Sequence, residues 1–248
     1  MNCLSPNHVL ILLLLFAPLS PSATPTHAWT LDEADPHRLK EEVREMFWYS
    51  YNSYMEHAFP KDELCPLSCT GKDTWGSYGL TLVDALDSLA VMGNMSEFAR
   101  AAQIVIRSID FNIDKNVSVF ETNIRIVGGL LSAHFLSEEH FHPSLASPLW
   151  HYHGELLSMA VDVATRLLPA FDTATGIPYG TVNLRYGVPP GETPITSLAG
   201  AGTHILEFGV LSKLTGNPVF MDVARTALRS LWARRSSIGL VGTHIDTR

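Results

Sequence analysis

Val119-Phe120-Glu121-Thr122-Asn123-Ile124-Arg125-Ile126-Val127-Gly128-Gly129-Leu130-Leu131 decides how the rest of the chain is read. Phe120, Ile124, Val127 and Leu131 recur at three- and four-residue steps, the spacing of one face of an amphipathic helix with an apolar side to bury. Glu121 and Arg125 lie beside that side, four residues apart, so a carboxylate and a guanidinium share one helix edge. Gly128-Gly129 then interrupts a good helix at a cost of roughly 1 kcal/mol per glycine relative to alanine, which points to another backbone or a ligand passing close by. On spacing alone, the ordinary reading of Glu121 and Arg125 is a solvated surface pair worth a few tenths of a kcal/mol.

Outward from this stretch the pattern stays helical. His37 to Ala58 carries Leu39, Val43, Met46, Phe47, Tyr51, Tyr54 and Met55 at helical spacing and stops at Pro60. Leu80 to Met92 is apolar nearly all round, which predicts a buried helix. Further helices are expected over Glu97 to Ile109, Glu155 to Phe171, Ala201 to Leu214 and Val219 to Arg234. Helix following helix with scarcely a strand pattern between them predicts an all-α architecture. The exception is Thr173 to Ser197, rich in Gly and Pro, with one β-prone run at Tyr179 to Leu184. A connection of that length in a compact domain is usually functional.

At 248 residues and 46% hydrophobic, the chain is long enough for one sizeable core. A formal charge of −8 gives no basic patch for nucleic acid. Val9 to Phe16 is a short apolar run followed by small residues, so residues 1–23 read as a secretory signal peptide and 24–36 as a Pro/Thr-rich tether ahead of a domain over 37–248. The run is too short for a stable membrane span. The sequons at Asn94 and Asn116 agree with a luminal route and are expected to carry glycans. With 3 cysteines, helix packing rather than a disulfide scaffold must carry the fold. Cys65 and Cys69 are spaced for a local disulfide but lack a second Cys/His pair for zinc. His140, His142, His151 and His153 crowd one insertion and read as incidental loop histidines.

Three places put carboxylates among apolar neighbours: Asp84 and Asp87 in Val83-Asp84-Ala85-Leu86-Asp87-Ser88-Leu89, Glu121, and Glu207 in Leu206-Glu207-Phe208. Charges on helices this apolar are seldom buried unless they are paired or face a cavity. Glycoside cleavage is one chemistry that needs such groups, an acid for the leaving oxygen and a second carboxylate to activate water, about 6.5–9.5 Å apart in the inverting geometry.

The stretches DTWGSYGLTLVDALDSLAVM (73–92), VFETNIRIVGGLLSAH (119–134), LLPAFDTATGIPYGTVNL (167–184) and LEFGVLSKLTG (206–216) resemble, in the same order, glycoside hydrolase family 47, and within it the ER degradation-enhancing branch. The resemblance implies an (αα)7 barrel, of which this chain would supply the N-terminal part, with inner helices around a glycan pocket. It implies Glu121 as the acid that protonates the leaving sugar, Arg125 as a glycan contact and Glu207 as an acid of the pocket floor. Asp84 and Asp87 match acids of the family signature, for which a purely structural i,i+3 role is the stronger alternative. Ser197 stands where this branch usually carries cysteine, so no disulfide carries over to that loop.

The activity implied is α-1,2-mannosidase trimming of high-mannose N-glycans on misfolded glycoproteins in the ER lumen, marking them for degradation, with ER oxidoreductases or chaperones as protein partners. The family mechanism uses calcium (Ca2+), held partly by a threonine that matches no position here. The carboxylates assigned to water activation would also fall beyond Arg248, so the chain by itself is expected to be inactive. A non-hydrolytic glycan-binding adaptor, or a helical scaffold that binds no glycan, are the rival readings.

Overall fold

The computed structural model of the protein describes residues 35–138 and 151–248. The signal peptide, nearly all of the tether, and His140 and His142 lie outside the described residues. Contacts divide the chain into two units, one up to Lys72 and one from Asp73 to Arg248.

In the first unit, α1 (Asp35–His57) begins with Asp35 in its first turn and Pro36 directly after it. Both residues favour a helix start, which places it ahead of the expected His37. The expected apolar face is only partly used. Tyr51 and Tyr54 are buried, while Leu39, Val43 and Met46 are exposed, because among the described residues this unit has no second helix for them to pack on. The Tyr54 hydroxyl donates to the Lys61 carbonyl at 2.7 Å. Strands β1 (Glu63–Cys65) and β2 (Thr70–Lys72) form an antiparallel hairpin with Cys65 opposite Thr70. Cys65 is a free thiol, so the local bridge to Cys69 that the spacing admits does not form. The ladder sets Cys65 against Thr70 while Cys69 occupies the turn at φ 51°.

The second unit is built around α2 (Leu80–Val91), whose Leu80, Leu82, Val83, Leu86 and Leu89 are all fully buried, as its all-round apolarity predicts. It packs against α3 (Met95–Ser108) and against the central helix α4 (119–137). Helix α4 is unbroken but not uniform. An α turn at Val119–Glu121 passes into a π-helical stretch at Thr122–Val127 and then into a regular α-helix at Gly128–Ser137. Ser118 caps its start by accepting from the Glu121 N–H at 3.2 Å. Helix α5 (Glu155–Leu167) packs on α4 and runs into a 3₁₀ turn at Leu168–Phe171.

The helix expected over Ala201 to Leu214 is two. Ser197 caps a short α6 (Leu198–Gly202), accepting from the Gly200 N–H at 2.9 Å, and Thr203-His204 separates it from α7 (Ile205–Thr215). Gly216 ends α7 at φ 72°, the left-handed conformation of a helix C-cap, and α8 (Val219–Ala233) packs back along it. Phe171, His204, Phe208 and Phe220 form a chain of ring contacts with centroids 5.0–5.6 Å apart.

The chain is less purely helical than its sequence predicts. The β-prone run supplies β4 (Thr181–Asn183), which pairs antiparallel with β3 (Asn116–Ser118). β5 (Ile195–Ser197) pairs with β6 (His244–Asp246). Strands of three residues are too short to show an alternating pattern, which is why only the first is visible in the sequence. Asn183 pins the long connection. Its Nδ2 donates to Asp114 and Asn116, each at 2.9 Å, and its Oδ1 accepts from the N–H groups of Arg185 and Tyr186.

Candidate functional site

The α4 sequence places two cavities along one helix. The first, of about 490 Å³, is lined by Asp84 and Asp87 of α2, Arg125, Gly128, Gly129 and Ser132 of α4, and Glu207 of α7, with Ile124, Leu131, Phe135, Leu206 and Val210 completing its wall. The second, of about 400 Å³, is lined by Trp75, Ser118, Phe120 and Glu121, and by Tyr179, Thr181, Glu192, Thr193, Thr196 and Ser197 from the long connection and its flanks.

The core takes only part of the expected apolar face of α4: Val127 and Leu131 are buried, Phe120 and Ile124 only partly. Ile124 and Leu131 line the first cavity and Phe120 the second, while Val119, Thr122, Asn123, Ile126 and Val127 are the buried positions at this end. The reason is the wide turn. Hydrogen bonds of the i→i+5 kind add residues to the turn, so a stripe read at 3.6 residues per turn slips in phase across Thr122–Val127. Such turns occur disproportionately at functional sites.

Arg125 sits at the centre of the charges. Its Nε and Nη2 donate to the same Asp84 oxygen at 2.8 and 2.6 Å, its Nη1 lies 3.9 Å from Glu121, and its guanidinium stands over the Trp75 ring at 5.6 Å. Glu121 and Arg125 thus form the edge pair that the spacing predicts, but loosely, and the tight partner is Asp84. Asp87 accepts from the Ser132 hydroxyl at 2.9 Å. Both aspartates tie α2 to α4, and both still face the first cavity.

The two glycines do what their cost implies. A Cβ on Gly129 would stand 3.3 Å from the Val83 carbonyl oxygen, so α2 and α4 approach to backbone distance there. A Cβ on Gly128 would lie 3.7 Å from Cγ of Glu207, so this glycine faces the carboxylate of α7. Asn123, absent from the sequence-based site, donates from Nδ2 to Glu207 Oε2 at 2.9 Å. Trp75, Ser132 and Glu192 were also missed. A buried Asn two residues beyond the acid was the one available signal for Asn123, whereas Glu192 lies in a proline-rich loop that carries no periodicity.

The sites thus fall in two groups: Glu121 with Glu192, Trp75 and hydroxyl side chains, and Asp84, Asp87, Arg125 and Glu207 together. Carboxylates, hydroxyls and an indole around one cavity suit a polyhydroxylated ligand, whose hydroxyls need paired acceptors and whose C–H faces pack on aromatic rings. For calcium the described residues do not supply a fit: no group of three or more His, Cys, Asp or Glu side chains among them could hold a metal ion.

The profile of Glycosyl hydrolase family 47 matches residues 46–248. ER degradation-enhancing alpha-mannosidase-like protein 2 of Homo sapiens is 60% identical over 212 residues, which are 86% of this chain and 36% of that protein. Alpha-mannosidase I MNS4 of Arabidopsis thaliana is 53% identical over 215 residues, 87% of this chain and 34% of the relative. The chain therefore spans about a third of the length of these relatives. Among solved structures, alpha-1,2-mannosidase from Trichoderma reesei superposes with a TM-score of 0.76 at 34% identity, covering 86% of this chain and 44% of that one. The helices described above are accordingly part of an all-α barrel, and the chain belongs to glycosyl hydrolase family 47.

Proposed function

We propose that the chain contributes the acid side of an α-1,2-mannosidase that trims high-mannose N-glycans of misfolded glycoproteins in the ER lumen by an inverting, calcium-assisted reaction. The observation that carries this reading is the placement of Glu121, on the first turn of α4 and in a cavity with Trp75, Glu192 and several hydroxyl side chains. From there its carboxyl group can protonate a glycosidic oxygen as the bond breaks. Arg125, fixed by Asp84, lies against the other edge of the acid and offers its remaining donors to sugar hydroxyls. The relatives' names, one ER degradation-enhancing and alpha-mannosidase-like and the other an alpha-mannosidase I, support this reading, as does the family itself.

The abundance of hydroxyl side chains in the Glu121 cavity, Ser118, Thr181, Thr193, Thr196 and Ser197, equally favours a second reading, a glycan-binding adaptor that does not cleave. One experiment separates the two. Residues 29–248 and a longer form are incubated with a high-mannose glycan, with calcium or with chelator, and binding and mannose release are followed together. Calcium-dependent release by the longer form supports the mannosidase; binding without release supports the adaptor; neither binding nor release refutes both.

A further inference from the structure

Asn123 is fully buried, yet only half of its amide is satisfied. Nδ2 donates to Glu207 Oε2 at 2.9 Å, while Oδ1 is buried without a hydrogen-bond partner. The orientation is forced, since turning the amide over would set two acceptor oxygens against each other. An unpartnered buried carbonyl weakens a fold, and an apolar side chain of similar size would avoid that penalty. A purely structural account of Asn123 therefore explains its burial poorly.

The effect on Glu207 explains it better. Glu207 joins α7 to α4 across the first cavity, and the amide engages one carboxylate oxygen only. The other, Oε1, has no described hydrogen bond and lies beside Gly128, 3.9 Å from where a Cβ would stand. The missing side chain at Gly128 leaves that oxygen open to the cavity. The wide turn at Thr122–Val127 sets Asn123 inward while Arg125, two residues on, faces the cavity.

We propose that Asn123 is the positioning residue for Glu207: its amide pins Oε2 so that Oε1 is presented, pre-aimed, to a ligand hydroxyl in the cavity between α2, α4 and α7. This rests on the proposed glycan site extending past Arg125, which lies 3.9 Å from Glu121 and lines this cavity. Fixing an acceptor before the ligand arrives removes the ordering cost from binding, which is how a residue that never touches the sugar raises affinity.

Asn123→Asp keeps the shape and replaces the donor with a carboxylate. Two carboxylates at hydrogen-bond distance cannot both ionise readily, so the pair retains one proton to higher pH than a lone carboxylate does, and that proton restores the missing donor. The other charged groups facing the cavity are Asp84 and Asp87 of α2 and Arg125 of α4, and the variant leaves them unchanged. Glycan affinity in the variant should fall about ten-fold or more at pH 7, the loss expected for a hydrogen bond to a charged group, and recover toward pH 5. The wild type should show no such recovery.

The test measures two things on the full chain, wild type, Asn123→Asp and Asn123→Ala: the carbon-13 shift of the Glu207 carboxylate from pH 4 to 8, and affinity for an immobilised high-mannose glycan. A Glu207 titration displaced upward in Asn123→Asp, with pH-recoverable affinity in that variant and unrecoverable loss in Asn123→Ala, is the expected result. An unmoved Glu207 titration overturns the contact. A displaced titration with unchanged glycan affinity overturns the positioning role. A wild type that binds no glycan defeats the glycan reading of the cavity instead, and the Glu207 titration still decides whether Asn123 governs that carboxylate.

Discussion

Arg125 donates two hydrogen bonds to a single oxygen of Asp84, at 2.8 and 2.6 Å, across 41 residues of sequence. The pair is roughly a third exposed on each side, so water screens it, but it fixes the guanidinium between the two cavities. Asp84→Asn should lower stability by about 1–2 kcal/mol, measured by urea denaturation. Arg125→Lys should keep the charge and lose the fork, weakening glycan binding by about 1–3 kcal/mol with the helix intact. Unchanged glycan affinity in Arg125→Lys would return Arg125 to a structural tie.

Glu121→Gln retains shape and hydrogen-bonding capacity while removing the transferable proton. In a form of the protein that releases mannose, turnover should drop by about 10²–10⁴ with glycan affinity little changed. Near-normal turnover would remove Glu121 from the role of acid. Glu192→Gln tests the second carboxylate of the same cavity, and a loss confined to affinity would mark it as a binding group.

The sequons offer a clean dissection. Asn94 Oδ1 caps α3, accepting from the Glu97 N–H at 3.1 Å and from the Ser96 hydroxyl at 2.9 Å, whereas a glycan attaches through Nδ2. Ser96→Ala should abolish the glycan and keep the cap. Asn94→Gln should lose both, and be less stable than Ser96→Ala by about 1 kcal/mol. Glycosidase treatment of protein from cells, which should remove a glycan each from Asn94 and Asn116, together with denaturation of the variants, checks this; equal stability of the two would deny the cap its weight.

His204 supplies a pH dependence. Burial among Phe171 and Phe208 lowers its pKa to about 4, the nearby Val119 backbone opposing this only weakly, and neither ring nitrogen makes a hydrogen bond of good geometry. The unfolded chain thus binds the proton more readily than the folded one. Stability is complete above the unfolded value of about 6.5 and is lost as pH falls toward 4, by on the order of 3 kcal/mol. Burial lowers the pKa of His134 as well, with the same sign. His204→Phe should flatten the curve of unfolding free energy against pH between 6.5 and 4; an unaltered slope would place the dependence elsewhere.

Much of this was legible because helix periodicity and family motifs are long-range signals. The buried α2 and the close approach at Gly129 follow from apolarity and from the cost of glycine. Of the short strands only β4 was legible, as the β-prone run, since three residues carry no period. The buried side of α4 was legible in part: Val127 and Leu131 are buried as the period predicts, whereas Thr122, Asn123 and Ile126 are buried where a turn wider than 3.6 residues shifts the stripe. The carboxylates were found, but their partners were not: Asp84 with Arg125 and Glu207 with Asn123 meet across 41 and 84 residues, and nothing in the local sequence encodes such pairings.

The stretched turn of α4 also stores about one residue of slack between its two ends. Each residue in a regular helix advances the chain by about 100°, so deleting one residue within Thr122–Val127 would let the turn relax to regular geometry. Five residues in regular geometry turn through about the same angle as the six do in the wide turn, so Gly128–Ser137 would stay in place against α2 and Glu121 would keep facing Trp75 and Thr181. What such a deletion would change is the set of side chains between Glu121 and Gly128 that face Glu207, so the acid would be spared and its neighbourhood rewritten.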